Sequence, residues 1–238
     1  MILLLGLWQI AAMAVGESIL IASPIAVLTR IAKVSVEGGF FGAVFYTMWR
    51  IVAGFLIGLL VGCLLAVVAG RFQPVDILLR PLMATVKSVP VASFIVIALI
   101  WLSSSKLSVF ISFLIVLPVV YSNVLGGIRS IPRQMTEMAS VFALPWHRRL
   151  VYIWLPAIRP YLVSACSAAL GMSWKAGVAA EIIGIPTGSV GEVLYEAKLY
   201  LDTEGLLAWT VVIVLVSVAF EKLFMALLKF AFGRLEKL

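Results

Sequence analysis

EMASVFALPWHRRLVYIWLP, residues 137 to 156, is a polar and basic stretch lying between two strongly apolar ones. Glu137-Met138-Ala139 is followed after three residues by Ala143, and after nine more by Ile153-Trp154-Leu155-Pro156. Just ahead of it, Met135 begins an i, i+3, i+4, i+7 series with Met138, Ala139 and Phe142, the spacing of an apolar stripe on a short helix. Glu137 and Arg133 lie off that stripe. Pro145 disfavours helical geometry at Leu144, so the spacing predicts a helix that ends near Ala143. Trp146, Tyr152 and Trp154 carry amphipathic rings suited to an interface, and His147-Arg148-Arg149 can meet lipid phosphates. Two readings follow for the stripe: it packs on the chain's own helices, or it fills a groove on a partner.

The surroundings of this loop are those of a membrane protein. The chain has 238 residues, 63% hydrophobic and 12% charged, with mean hydropathy +1.17; soluble domains carry about 25% charged residues. A spanning helix needs about 20 apolar residues. Spans are expected at 2–22, 42–69, 82–102, 107–128, 160–180 and 206–226, about six in a single domain, five being the alternative count. The apolar start from Ile2, with no basic residues before it, reads as a retained first span and not as a cleaved signal peptide.

The net charge of +7 would suggest nucleic acid on a soluble protein, but here it has a topological meaning. With both termini in the cytoplasm, twelve Lys and Arg fall inside, in the segments 70–88 and 129–159 and the tail, against four outside. That is the positive-inside bias, and it makes 129–156 a cytoplasmic loop.

Small residues recur at four-residue spacing: Gly54, Gly58, Gly62, Ala66 and Gly70, then Ala165, Ala169, Ser173 and Gly177. Each series forms a ridge that lets another helix approach closely, either within one subunit or against a partner. Ser23-Pro24 is a helix N-cap and first helical position, opening an amphipathic helix that lies on the outer surface or packs on the bundle. Arg50 snorkels to the outer interface. Lys175, in the fifth span, is a candidate pathway residue together with Trp174, Glu181 and Ser167, because charge in a span tends to face the bundle interior or a water-filled path. The competing reading is an interfacial charge. Cys63 and Cys166 are small core residues, and paired metal ligands are absent.

The twenty-residue segment resembles the EAA loop of permease subunits from binding-protein-dependent ABC importers: Glu-Ala-Ala, three residues, Gly, nine residues, Ile-x-Leu-Pro. Glu137, Ala139, Ile153, Leu155 and Pro156 match at the right spacings. Met138 replaces an Ala, and Ala143 replaces the Gly, which would tolerate a left-handed turn where Ala does not readily do so. Ser23-Pro24, Arg50 with Gly54, Pro90, Trp101 and the run from Trp174 to Gly184 resemble the nitrate/taurine/sulfonate-type permeases.

The resemblance implies an all-α polytopic permease fold of the type I importer kind with a cytoplasmic coupling helix, in a prokaryotic inner membrane. Met135, Glu137, Met138, Ala139, Phe142, Ala143, Leu155 and Pro156 would couple to separate ABC ATPase subunits. A second permease subunit, identical or similar, would complete the pathway, and an extracytoplasmic binding protein would deliver a small organic or inorganic solute. ATP and Mg would bind the ATPase and not this chain. The residues agree on one point: no Gly-Lys dipeptide occurs, so the chain has no Walker A phosphate loop. No nucleophile-and-base pair suggests an enzyme. The alternative, a gradient-driven carrier or channel, calls for carboxylates within the spans, and none is expected well inside one.

Overall fold

The computed structural model describes residues 2–15, 22–36 and 38–235, and these residues are all-α. The elements are α1 (Ile2–Val15), α2 (Pro24–Val36), α3 (Phe40–Arg71), α4 (Gln73–Ser88), α5 (Val91–Ala98), α6 (Ser104–Arg129), α7 (Arg133–Val141), α8 (Trp146–Arg149), a π-helical turn (Leu150–Trp154), α9 (Leu155–Gly184), α10 (Val190–Leu199) and α11 (Thr203–Leu235).

Among the described residues, four helices are long and apolar enough to cross a membrane: α3, α6, the continuous rod Trp146–Gly184, and α11. The span expected at 82–102 is instead two helices, α4 and α5, bent by 99° at Val89–Pro90. Pro90 supplies no N–H and pushes Val89 to extended geometry, φ −76° and ψ 132°, so the helical ladder stops there. If the bent pair is one broken span, the count is five. The expected first span, 2–22, is helical over the fourteen residues Ile2–Val15; residues 16–21 lie outside the described ones. The fifth expected span, 160–180, is part of a much longer rod. Leu155 N–H reaches Leu150 O, an i to i−5 bond. This π-turn gives Pro156 a place where its missing donor and its ring do not break the helix.

The core is built on α3, α6 and α9. Phe55, Val116, Val120, Ala169 and Leu170 are fully buried in it. The small-residue ridge of α3 faces α6: a Cβ on Gly58 would stand 2.8 Å from Val116 Cβ, and one on Gly62 would stand 3.0 Å from Val120 Cβ. Gly54 likewise lies against the Val109 carbonyl. Ala165, Ala169 and Ser173 are fully buried on α9, and a Cβ on Gly177 would stand 2.6 Å from Ile51. Both ridges therefore bring helices together within one subunit, by close van der Waals contact and not by hydrophobic transfer. Large apolar side chains such as Leu56, Ile57, Leu60 and Leu64 point outward, an arrangement suited to lipid and unsuited to water.

Ser23 caps α2 as its sequence implies, its Oγ accepting from Ala26 N–H at 3.2 Å. Val27 packs with Ala208 of α11, and Val34 with Trp209 and Val212, while Ile25 and Leu28 are exposed. α2 is thus docked on the bundle by one face and open on the other.

Candidate functional site: the α7 turn and the groove of α9

Two features stand out on the rod Trp146–Gly184: the short helix held at its start, and a groove along its flank. At the start, α7 ends in a left-handed turn. Ala143 has φ 47°, the geometry that favours glycine. Leu144 N–H donates to Ala139 O at 2.9 Å, and Ala143 N–H to Ser140 O at 3.1 Å, the paired bonds of a Schellman motif. The alanine adopts the left-handed turn that a glycine would take there, and the surroundings compensate. Arg149 reaches back over the turn, its Nε donating to Leu144 O at 2.8 Å and its Nη2 to Ala139 O at 3.0 Å. Pro145 holds extended geometry at φ −63° and ψ 152° and starts α8 directly. Arg149 therefore serves the turn itself, where the sequence suggested a lipid phosphate.

This turn fixes the direction in which α7 faces. Ala139 is buried and turned inward, whereas Met135, Met138, Val141 and Phe142 are exposed. The apolar stripe splits: its alanine packs on the molecule, and its large members face away. Glu137 pairs with Arg133 at 2.8 Å on an exposed face, a contact worth only a few tenths of a kcal/mol. Ile153 is buried, Leu155 is half-buried, and Pro156 is exposed at the join with α9.

The groove runs between α9 and α11, with a volume of about 490 Å³. Trp174, Lys175 and Glu221 line it, with apolar walls from Leu170, Val178 and Ile213. Ser167 Oγ donates to Glu221 Oε1 at 3.1 Å. The Trp174 indole N–H is buried without a partner. Lys175 and Trp174 therefore share one cleft, with Ser167 joined to it through Glu221. Glu221, within the span expected at 206–226, joins this cleft although no local sequence signal points to it.

Glu181 is elsewhere. It is fully buried, and Thr47 Oγ1 donates to its Oε2 at 2.7 Å. Gly191 N–H donates to the same oxygen at 3.4 Å, and Val190 N–H donates to Thr47 Oγ1 at 3.0 Å. The carboxylate sits at the N-terminus of α10, where unpaired N–H groups and the helix dipole favour an anion. A side chain at position 191 would collide with Glu181, so only glycine lets α10 approach. Ser189 accepts from Glu192 N–H at 3.0 Å while Glu192 accepts from Gly188 N–H at 2.6 Å, a variant of the capping box. The Ser-x-x-Glu spacing was the available signal for this cap; nothing local pointed to Thr47, 134 residues from Glu181. Glu181 thus stands in the last turn of α9, just beyond the span expected at 160–180, and Glu221 stands within α11.

The class of protein follows from these features: a polytopic helical bundle with an exposed amphipathic helix between two spans, the architecture of a transport subunit. Residues 54–235 match the family described as the binding-protein-dependent transport system inner membrane component, and the chain belongs to that family. It is 25% identical over 218 residues to the putative aliphatic sulfonates transport permease protein of Bacillus subtilis, covering 90% of this chain and 78% of that one. It is 23% identical over 229 residues to the taurine transport system permease protein of Escherichia coli, covering 92% and 82%. Over 160 residues it is 28% identical to the nitrate import permease protein of Leptolyngbya laminosa, covering 65% of this chain and 55% of that one. The chain is a multi-pass membrane permease subunit, the translocating component of an ABC-type importer.

Proposed function

We propose that α7 is the coupling helix through which a separate ATP-binding cassette subunit drives this permease. The observation that carries the reading is the outward face of Met135, Met138 and Phe142, held rigid by the turn at Ala143 and by Arg149. A short helix with large, adaptable apolar side chains directed away from its own bundle fits a groove on a partner. The excess of Lys and Arg in the segments 70–88 and 129–159 and the tail supports a cytoplasmic position for that face and both termini, where ATP is available. ATP and Mg bind the partner, and this chain contributes no catalytic residue. A second permease subunit completes the pathway, and an extracytoplasmic binding protein delivers the solute. Closure of the ATPase dimer moves α7, and the continuous rod Trp146–Gly184 carries that movement to the flank where Lys175 and Trp174 line the groove.

Asp at both Met135 and Phe142 should reduce co-purification of the ATPase subunit by at least about tenfold, since two charges then enter an apolar contact, while the chain remains inserted in the membrane. Undiminished capture together with undiminished ATP-driven uptake would refute the docking role. Lys175→Ala should change the uptake KM or rate and leave ATPase capture intact; wild-type uptake kinetics would remove Lys175 from the pathway.

A further inference from the structure

A second cationic site lies away from both features. Between α4 and α6 is a cavity of about 340 Å³ lined by Asp76, Arg80, Lys87, Tyr121, Ser122 and Arg129. Asp76 is almost completely buried, and Arg80 Nη2 and Arg129 Nη2 each lie 2.7 Å from its Oδ2. Tyr121 Oη donates to Oδ1 at 3.1 Å. Lys87 Nζ donates to Ser122 Oγ at 2.8 Å. One carboxylate faces three cations, leaving two positive charges unbalanced around the cavity. Each guanidinium has five N–H donors and remains largely open, 70% exposed at Arg80 and 50% at Arg129. Asp76 therefore acts as a positioning residue: it fixes two guanidinium planes beside a lysine without consuming their capacity.

We propose that this cavity binds the phosphate of an anionic phospholipid. The chemistry is that of phosphate in general, for which fixed guanidinium groups are suited; the adjoining surface selects a lipid. Elsewhere on α4, Ile77, Leu78 and Leu82 are exposed, with Ile77 next to Asp76 at the edge of the charged face, so acyl chains can lie along the helix beside the cavity. Arg129 closes α6, Arg71 closes α3 and stacks on Phe72 of the following joint, which places the cavity at the ends of spans where headgroups lie. A basic pocket between spans at such a level attracts anionic lipid headgroups.

The test uses the full chain in detergent, titrated with phosphatidylglycerol, with phosphatidylcholine of equal chain length, and with inorganic phosphate, and followed by native mass spectrometry and thermal unfolding. Phosphatidylglycerol should bind about tenfold more tightly than phosphatidylcholine. The double variant R80Q/K87Q keeps the Arg129–Asp76 pair, so it should fold, and it should lose that preference; K87Q alone should lose part of it, and K198Q, on α10, none. Equal binding of the two lipids, or a preference surviving in both R80Q/K87Q and K87Q, overturns the proposal. So does full stabilisation by inorganic phosphate alone, which would make the ligand a free anion. Displacement of the lipid by the ATPase subunit, with capture of that subunit lost in R80Q/K87Q, would assign the cavity to a protein contact and likewise overturn it.

Discussion

The two ends of the rod Trp146–Gly184 are anchored by one device with opposite sign. At its start, the Arg149 guanidinium donates to carbonyls at the C-terminus of α7. Near its end, the Glu181 carboxylate accepts at the N-terminus of α10. In each case a side chain of the long helix hydrogen-bonds backbone groups at the end of a short helix, with the charge that the short helix's dipole prefers. The difference is burial. Arg149 is half-buried and its turn opens onto exposed Met138 and Phe142. Glu181 is fully enclosed, with Thr47 as its second support. The same chemistry thus makes a replaceable clamp at one end and a fixed joint at the other, because an unpaired group costs far more where water cannot reach it.

The largest expected effect breaks the buried joint. Glu181→Ala leaves the Thr47 hydroxyl and the Gly191 N–H without their acceptor and should cost about 3 kcal/mol, read as lowered thermal stability in detergent with faster hydrogen exchange in α10. Glu181→Gln retains an acceptor oxygen and should cost far less; equal loss in both variants would show that the charge, and not the hydrogen bonds, holds α10. Thr47→Val removes one donor and one acceptor with little change of shape and should cost about 2 kcal/mol. At the exposed clamp, Arg149→Ala should cost only about 1–2 kcal/mol, while weakening ATPase capture more than its effect on folding would suggest; intact capture would show that α7 holds its pose without Arg149. Smallest and opposite in sign, Ala143→Gly should stabilise the protein by about 0.5–1 kcal/mol, since it relieves the left-handed strain of alanine. A destabilised A143G would mean that the turn depends on the Ala143 methyl group.

The loop 129–156 was legible in the sequence because its signals are local. Periodicity gave the α7 face, and Pro145 gave the end of the helix. What periodicity could not give was the split of the stripe, Ala139 inward and Phe142 outward, because i, i+3, i+4, i+7 describes a face and not its neighbour. The run His147-Arg148-Arg149 concealed its own division of labour: three adjacent basic residues look alike, and only the chain reversal at Ala143 brings Arg149 over two carbonyls. The pathway set was separated for the same reason. Lys175 and Glu181 are six residues apart, about 600° of helical rotation, and that rotation sends one into the groove with α11 and the other into the joint with α3 and α10.

By itself, the sequence determined that this chain is a helical membrane protein, that a basic loop lies between two of its spans, and that the loop contains a short amphipathic helix. Hydropathy, charge bias and proline placement act within a few turns of chain and need no tertiary partner to be read. The tertiary structure alone decided where the polar groups go. Glu181 found Thr47, Asp76 found Arg129, and Arg149 found the end of α7. In an apolar bundle such a group pairs with whatever the packing of whole helices brings within reach, and some atoms, such as the Trp174 indole N–H and Glu181 Oε1, stay buried without a partner.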